Sequence, residues 1–187
     1  MMGIHLGGGG FPPQSFQKAM VFIDGTNLFH RLKAAGLRVP SLKNLLLSKL
    51  GGRQVARIYL YTVEQQLQSA TEVHGDQFLD GIRIILGEGI KKSDGNVKEK
   101  GVDAMLVADM VYHAASKNCE YALVVTLDTD FVHVVRRVED FGCRSAVLSV
   151  CAQAPERLRA ACDDYYEMDS EFLLQQGFAE RIPETKK

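Results

Sequence analysis

The chain has 187 residues, of which 46% are hydrophobic and 24% are charged, and these values are typical of one globular domain rather than a disordered chain. Its formal net charge of -1, from 22 basic and 23 acidic residues, argues against broad electrostatic capture of nucleic acid or an anionic membrane. A local basic patch or bound cations can still hold a phosphate. No apolar run approaches the roughly 18 residues of a membrane-spanning helix.

Predicted strands and helices alternate along the chain. Apolar runs rich in strand-forming residues predict strands at residues 18–24, 54–62, 82–88, 121–127 and 144–150, with a short sixth strand at 164–168. Helical spacing predicts helices at residues 27–36, 41–50, 64–80 (weakened near Gly75), 102–117, 129–142, 155–162 and 170–176. This alternation favours parallel strands in an open sheet that helices cover on both faces.

Other segments carry no such pattern. Residues 1–17 contain a run of four glycines and two prolines, which predicts a flexible leader rather than a signal peptide, and residues 179–187 predict a flexible tail. Residues 18–178 between them predict a single domain. Residues 89–101 are polar and basic with turn glycines, and predict an exposed, mobile loop. The four cysteines form neither a C-x-x-C pair nor a zinc spacing, which indicates reduced thiols in a cytoplasmic protein.

Acidic residues follow two of the predicted strands. Asp24 ends the first strand, and Asp128 and Asp130 follow the fourth, while Asp103 opens the helix after the basic loop. Ligands of open parallel sheets bind beyond the carboxyl ends of the strands, so these acids converge if the first and fourth strands are neighbours. Carboxylates gathered in this way repel one another, and a hard divalent cation such as Mg²⁺ or Mn²⁺ neutralises them.

Each acid also has a purely structural interpretation. Asp24 can cap the helix that follows it, Asp128 can cap the helix near Asp130, and Asp103 favours the helix dipole from the first turn. Taken alone, each acid fits both interpretations, whereas all of them together at strand ends favour a site. Asp109 either supports this site from behind or makes a structural hydrogen bond to backbone, and the sequence leaves both alternatives open.

Neutral and basic residues accompany the acids. Asn27 supplies an amide that can orient a carboxylate or contact a phosphate. Lys91, Lys92, Lys98 and Lys100 form a dense basic cluster just before Asp103. Such a cluster is either a solvated surface or a contact for the phosphates of a substrate, and both interpretations stay open.

Three segments resemble a known family. "VFIDGTNLF" at residues 21–29, "KEKGVDAMLVADM" at 98–110 and "ALVVTLDTDF" at 122–131 resemble the signature segments of the NYN domain, within the PIN-like nuclease superfamily, and in particular its LabA/DUF88-like bacterial subgroup. The resemblance covers residues 18–150 and implies a three-layer α/β/α fold with a mainly parallel sheet in strand order 3-2-1-4-5. A short extra strand at 164–168 would extend this sheet.

The resemblance also implies an acidic site for Mg²⁺ or Mn²⁺ that acts on single-stranded RNA. It assigns catalysis and metal binding to Asp24, Asp103, Asp128 and Asp130, with Asn27, Asp109 and Thr126 in support. Lys100 matches the family's lysine, and Lys91, Lys92 and Lys98 of the preceding loop would steer the phosphate backbone. Leu127 stands where the family commonly has glycine, which predicts narrower access to the backbone beside the pocket.

The predicted function is therefore a cytoplasmic, metal-dependent ribonuclease, with single-stranded RNA as partner, allowance for a homodimer and no membrane partner. The alternative is a non-catalytic RNA- or metal-binding regulatory module that keeps the same pocket. The Asp-Gly-Thr of residues 24–26 also suggests a phosphatase of the haloacid dehalogenase type. That chemistry requires a nucleophilic carboxylate two residues before Asp24, and Phe22 occupies that position.

Overall fold

The structure, a computed structural model, describes residues 17–91 and 97–183. In chain order its elements are β1 (Lys18–Asp24), α1 (Gly25–Ala34), β2 (Leu37–Arg38), α2 (Leu42–Leu47), β3 (Gln54–Thr62), α3 (Glu64–His74), β4 (Arg83–Leu86), β5 (Glu88–Lys91), β6 (Val97–Lys100), α4 (Val102–Ala115), β7 (Tyr121–Val125), a 3-10 turn (Thr129–Phe131), α5 (Val132–Glu139), β8 (Arg144–Val150), α6 (Glu156–Arg159), β9 (Asp164–Met168), α7 (Ser170–Gln175) and β10 (Glu180–Arg181).

Six parallel strands form the central sheet in the order β4-β3-β1-β7-β8-β9. This confirms the predicted α/β class and the order 3-2-1-4-5, and the short extra strand is β9 at one edge. The order reverses at β1, which pairs with β3 on one side and with β7 on the other. The carboxyl ends of β1 and β7 are therefore neighbours, where open parallel sheets place their ligand sites.

Helices cover the sheet on both faces. Val21 and Ile23 of β1 pack into a core with α1, α2 and α7, while Met20 and Phe22 pack into a second core with α4 and α5. Because β1 is buried on both faces, its last six residues are all buried instead of alternating between core and solvent. This explains why the first strand appears in the sequence as a continuous apolar run that ends in a carboxylate.

Several helices are shorter than predicted. The helix expected at 41–50 ends at Leu47, and the one expected at 129–142 begins as a 3-10 turn. The helix expected at 64–80 ends at His74, because the next residue, Gly75, has φ +93°, which is outside helical geometry. The apolar spacing of the sequence continues past Gly75, but the helix ends there because the backbone of this glycine is not helical.

The predicted loop at residues 89–101 is a correction, because β5 and β6 pair there as an antiparallel hairpin. Glu88 lies opposite Lys100 in this ladder, and their side chains form an exposed ion pair at 3.9 Å. Lys92, one of the predicted substrate contacts, lies outside the described residues, as do residues 1–16 of the predicted leader.

A second small sheet forms where the sequence predicted part of a flexible tail. Glu180–Arg181 pairs antiparallel with Leu37–Arg38, and Arg38 Nη1 contacts Glu180 Oε2 at 3.0 Å. This pairing joins segments about 140 residues apart, which local sequence patterns do not encode. Within residues 17–91 and 97–183, no helix has both the length and the apolar character needed to cross a bilayer.

His74 couples stability to pH. Its ring is buried, accepts a hydrogen bond from the Val39 backbone N–H at Nδ1 (3.1 Å) and packs against Phe78 with ring centroids 4.2 Å apart. Burial, assisted by the positive charge of Arg38, lowers the pKa of His74 to about 4. An unfolded histidine has a pKa near 6.5, so the unfolded chain takes up a proton first as the pH falls.

We therefore expect stability to be fully present above pH 6.5 and to fall between pH 6.5 and about 4, where only the unfolded state is protonated at His74. Urea denaturation should show that wild type loses about 2 kcal/mol more than His74→Asn between pH 7 and pH 4.5. Asparagine can keep an acceptor for the Val39 N–H but does not titrate. An identical loss of stability in both proteins would show that His74 is not the titrating group.

Candidate active site at the ends of β1 and β7

Asp24 stands at the junction where β1 turns directly into α1. Gly25 makes this junction possible, since a Cβ at that position would lie 2.7 Å from the carbonyl oxygen of Tyr61 on β3. Asp24 Oδ1 accepts a hydrogen bond from the Asn27 backbone N–H at 3.1 Å and so caps α1. The structural interpretation of Asp24 is thus correct for one of its two oxygens.

The second oxygen of Asp24 faces the neighbouring strand. Thr126, which follows β7, donates its hydroxyl proton to Asp24 Oδ2 at 2.9 Å, and the hydroxyl oxygen accepts from the Asp128 backbone N–H at 3.0 Å. Both Asp24 and Thr126 are buried. Thr126 therefore links the two strand ends and holds the Asp24 carboxylate in one orientation.

Asp128 is half-buried and, like Asp24, caps a helical turn while lying close to another acid. Its Oδ1 accepts from the Asp130 backbone N–H at 2.9 Å and caps the 3-10 turn. Its charge acts on Asp24 as well. Asp130 itself is exposed, so the late acid pair contributes one half-buried and one exposed carboxylate.

The electrostatics of Asp24 show that acids gather here. Burial raises the pKa of its carboxyl group to about 6, and the nearby negative charges of Asp103 and Asp128 act in the same direction. The hydrogen bonds from the Asn27 N–H and the Thr126 hydroxyl favour the charged form and oppose the shift. Asp103 is exposed in the first turn of α4. Acids from α4 and from the end of β7 thus both act on the acid that ends β1.

These acids do not form a closed metal cage. Among the residues that the structure describes, no three histidine, cysteine, aspartate or glutamate side chains are grouped so that they could hold an ion. The donor set nevertheless fits Mg²⁺ or Mn²⁺, which prefer oxygen ligands, keep several waters and take only one or two carboxylates directly. Asn27 Oδ1 adds a buried oxygen that has no hydrogen-bond partner in the described chain.

Asp109 lies further along α4 and makes a side-chain hydrogen bond that the sequence did not predict. Tyr61, fully buried in β3, donates its phenolic proton to Asp109 Oδ2 at 2.8 Å. Burial and the Asp109 carboxylate both raise the pKa of Tyr61, so the phenol stays protonated. Tyr61 is also the register partner of Asp24, so this bond fixes α4, which begins with Asp103, against the strand beside Asp24.

Of the predicted basic contacts, Lys100 is the best defined. It ends β6 just before α4, is exposed and pairs with Glu88. Lys91 and Lys98 belong to the two strands of the same hairpin, opposite Val97 and Ile90 respectively. The structure thus places three of the predicted lysines on a hairpin that leads directly into the helix of Asp103.

Comparison with known proteins gives a similar fold and a family. No curated protein matches the sequence. The fold is similar to that of a protein of unknown function from Vibrio parahaemolyticus RIMD 2210633, with a TM-score of 0.65 and 18% sequence identity over 87% of this chain and 99% of that chain. This likeness shows that the two chains share a fold. The family model described as "NYN domain" matches residues 18–169, from β1 to the end of β9, and the chain therefore belongs to the NYN domain family, with its nuclease-like fold.

Proposed function

We propose that the protein is a metal-dependent ribonuclease that hydrolyses phosphodiester bonds of single-stranded RNA at the ends of β1 and β7. The observation that carries this proposal is the buried Asp24 carboxylate. Thr126 orients it, and the negative charges of Asp103 and Asp128 act on it. A buried acid in a cluster of acids is costly for stability, and such arrangements concentrate at functional sites. Membership of the NYN domain family supports a nuclease at the level of the fold.

Asp24, Asp103 and Asp128 would hold Mg²⁺ or Mn²⁺ directly or through its bound waters, and the exposed Asp130 and the Asn27 amide oxygen would complete the set of oxygens. Such an ion, when bound, supplies Lewis acidity and an activated water for attack on phosphorus. The chain's own contribution is orientation, because the Asn27 N–H and the Thr126 hydroxyl each hold one oxygen of Asp24. Lys100 and its hairpin would attract the phosphate backbone toward an otherwise acidic site.

The test is cleavage of a labelled single-stranded RNA by the purified protein with Mg²⁺, with Mn²⁺ and with a chelator. We expect fragments only with a divalent ion, and we expect them to carry 5′-phosphates, since water rather than the neighbouring ribose hydroxyl is the nucleophile. A base-paired RNA of the same sequence serves as the control for strand selectivity. Cleavage in the presence of chelator, or fragments with 2′,3′-cyclic phosphate ends, would contradict the proposal.

Two observations favour the alternative, a non-catalytic module that binds RNA or metal in the same pocket. The described acids are not assembled into a group of three ligands. Leu127, which directly precedes Asp128 and is buried, stands where the family commonly has glycine. This alternative predicts saturable RNA binding with no fragments across a panel of substrates. The phosphatase interpretation gains no support, since the Phe22 ring is fully buried and stacks on Tyr59 with centroids 5.9 Å apart.

A further inference from the structure

A cleft of about 590 Å³ opens between α1 and α3, on the face of the sheet opposite α4. Phe29, Ala70 and Val73 supply apolar walls, and Gln65 and Ser69 of α3 add polar groups. This volume lies within the range of pockets that bind small ligands and cofactors, which are largely apolar with a few polar groups. The acids of the proposed site, by contrast, are not among the residues that line it.

One end of this cleft lies beside Asp24. Thr26, in the first turn of α1 and two residues after Asp24, lines the cleft together with Gln66 in the first turn of α3. Thr62, the last residue of β3, donates its hydroxyl to Gln66 Oε1 at 3.5 Å. Since Thr62 follows Tyr61, the register partner of Asp24, the cleft begins at the same edge of the sheet as the acids. His74 and Ile182 line its far end.

The charge of the cleft is opposite to that of the acidic site. Among the described residues that line it, Lys33 and His30 are exposed, and none is an aspartate or a glutamate. An anionic group near Lys33 and a flat apolar ring against Phe29 and Val73 would therefore both be favourable. Gln65, which also lines the cleft, has a buried Oε1 without a hydrogen-bond partner among the described residues, and an N–H of a ring would satisfy it.

We infer that this cleft binds the base and ribose of one nucleotide of the RNA, next to the phosphodiester that the acidic site would cut. This inference rests on the proposed function and adds a source of sequence selectivity to it. An unpaired base is accessible only in single strands, and proteins hold such bases by stacking and by hydrogen bonds to their edges. Selectivity for single strands would then follow from the cleft, because a paired base cannot enter it.

Val73→Trp is the variant that tests the cleft. Val73 is 44% exposed, so a larger side chain can fill the cleft without disturbing the core. Gln68→Trp is the matched control, since Gln68 is exposed on the same helix and does not line the cleft. Nucleoside 5′-monophosphates are titrated into ¹⁵N-labelled protein, with ribose 5-phosphate as the probe that lacks a base.

We expect amide shifts centred on Phe29, Ala70 and Val73 with the nucleotides and not with ribose 5-phosphate. Binding should weaken at least about tenfold in Val73→Trp and stay unchanged in Gln68→Trp. Shifts elsewhere on the protein, equal shifts with ribose 5-phosphate, or unchanged binding in Val73→Trp would each overturn the inference. Because these readouts need no cleavage, an inactive protein that still binds nucleotides in the cleft would contradict the proposed nuclease but support the cleft.

Discussion

Asp24→Asn is expected to lower the rate of RNA cleavage by about a hundredfold or more, while the variant unfolds at the wild-type temperature or above it. Asparagine is as good a helix cap as aspartate, and its Oδ1 can still accept from the Asn27 N–H, now 3.1 Å from Asp24 Oδ1. The substitution removes a buried negative charge that Asp103 and Asp128 repel. It also removes the carboxylate that the proposed chemistry needs. For comparison, removing a single oxyanion-hole donor, another electrostatic contact at a reacting centre, costs an enzyme about 10²–10³ in rate.

The measurements are cleavage rate and thermal unfolding at pH 7 for wild type and variant. Asp169→Asn is the matched control, because Asp169 also follows a parallel strand, β9, and caps a helix by accepting from the Phe172 N–H at 2.7 Å. Asp169 is exposed and lies after the edge strand, away from the junction of β1 and β7. Asp169→Asn should cleave like wild type, and unchanged cleavage in Asp24→Asn would assign the activity to another site or a contaminant.

The convergence of Asp24 with Asp128 could be predicted from sequence because it follows from topology. Two apolar runs ended in acids, and once both runs are neighbouring parallel strands their carboxyl ends must meet. The sequence, however, left open whether Asp24 caps a helix or belongs to a ligand site. These two interpretations exclude each other only if the carboxylate makes a single contact. Asp24 has two oxygens, one capping α1 and the other bonded to Thr126, so its role as a helix cap leaves the second oxygen available to the proposed site.

Features that depend on distant pairings could not be predicted in the same way. The bond from Tyr61 to Asp109 spans 48 positions, and neither the strand of one nor the helix of the other indicates the partner. The cleft between α1 and α3 likewise depends on how two helices pack on one face, which apolar periodicity does not specify. Thr126 was a supporting residue by resemblance alone, since a threonine after a strand has no distinctive pattern.

The hairpin of β5 and β6 shows that amino-acid composition alone does not distinguish a loop from a pair of short strands. Lysines, glycines and polar residues favour an exposed loop on average, yet short alternating segments on each side of a turn can pair in register. The consequence for the proposed function is that Lys91, Lys98 and Lys100 are carried by paired strands. Their positions relative to one another are thereby set by the register of the two strands.

Gly25→Ala is expected to lower the free energy of unfolding by about 2 kcal/mol, although the residue lies at the start of a helix. An added Cβ would lie 2.7 Å from the Tyr61 carbonyl oxygen, 3.1 Å from Thr62 Cβ and 3.2 Å from Leu60 Cδ2. The nearest of these atoms is backbone in a paired strand, so β1 and β3 would have to move apart at the point where Asp24 and Tyr61 pair.

The sign of the change makes this prediction decisive. Helix propensity alone predicts that alanine stabilises the protein by up to about 1 kcal/mol relative to glycine. The collision predicts the opposite, with the midpoint of thermal unfolding lower by about 4–8 °C for a chain of this size. Calorimetry and urea denaturation measure both quantities, and cleavage should fall in parallel because the Asp24 carboxylate is displaced from Thr126. A more stable Gly25→Ala protein would mean that β1 and β3 are not packed as closely at this junction as the distances require.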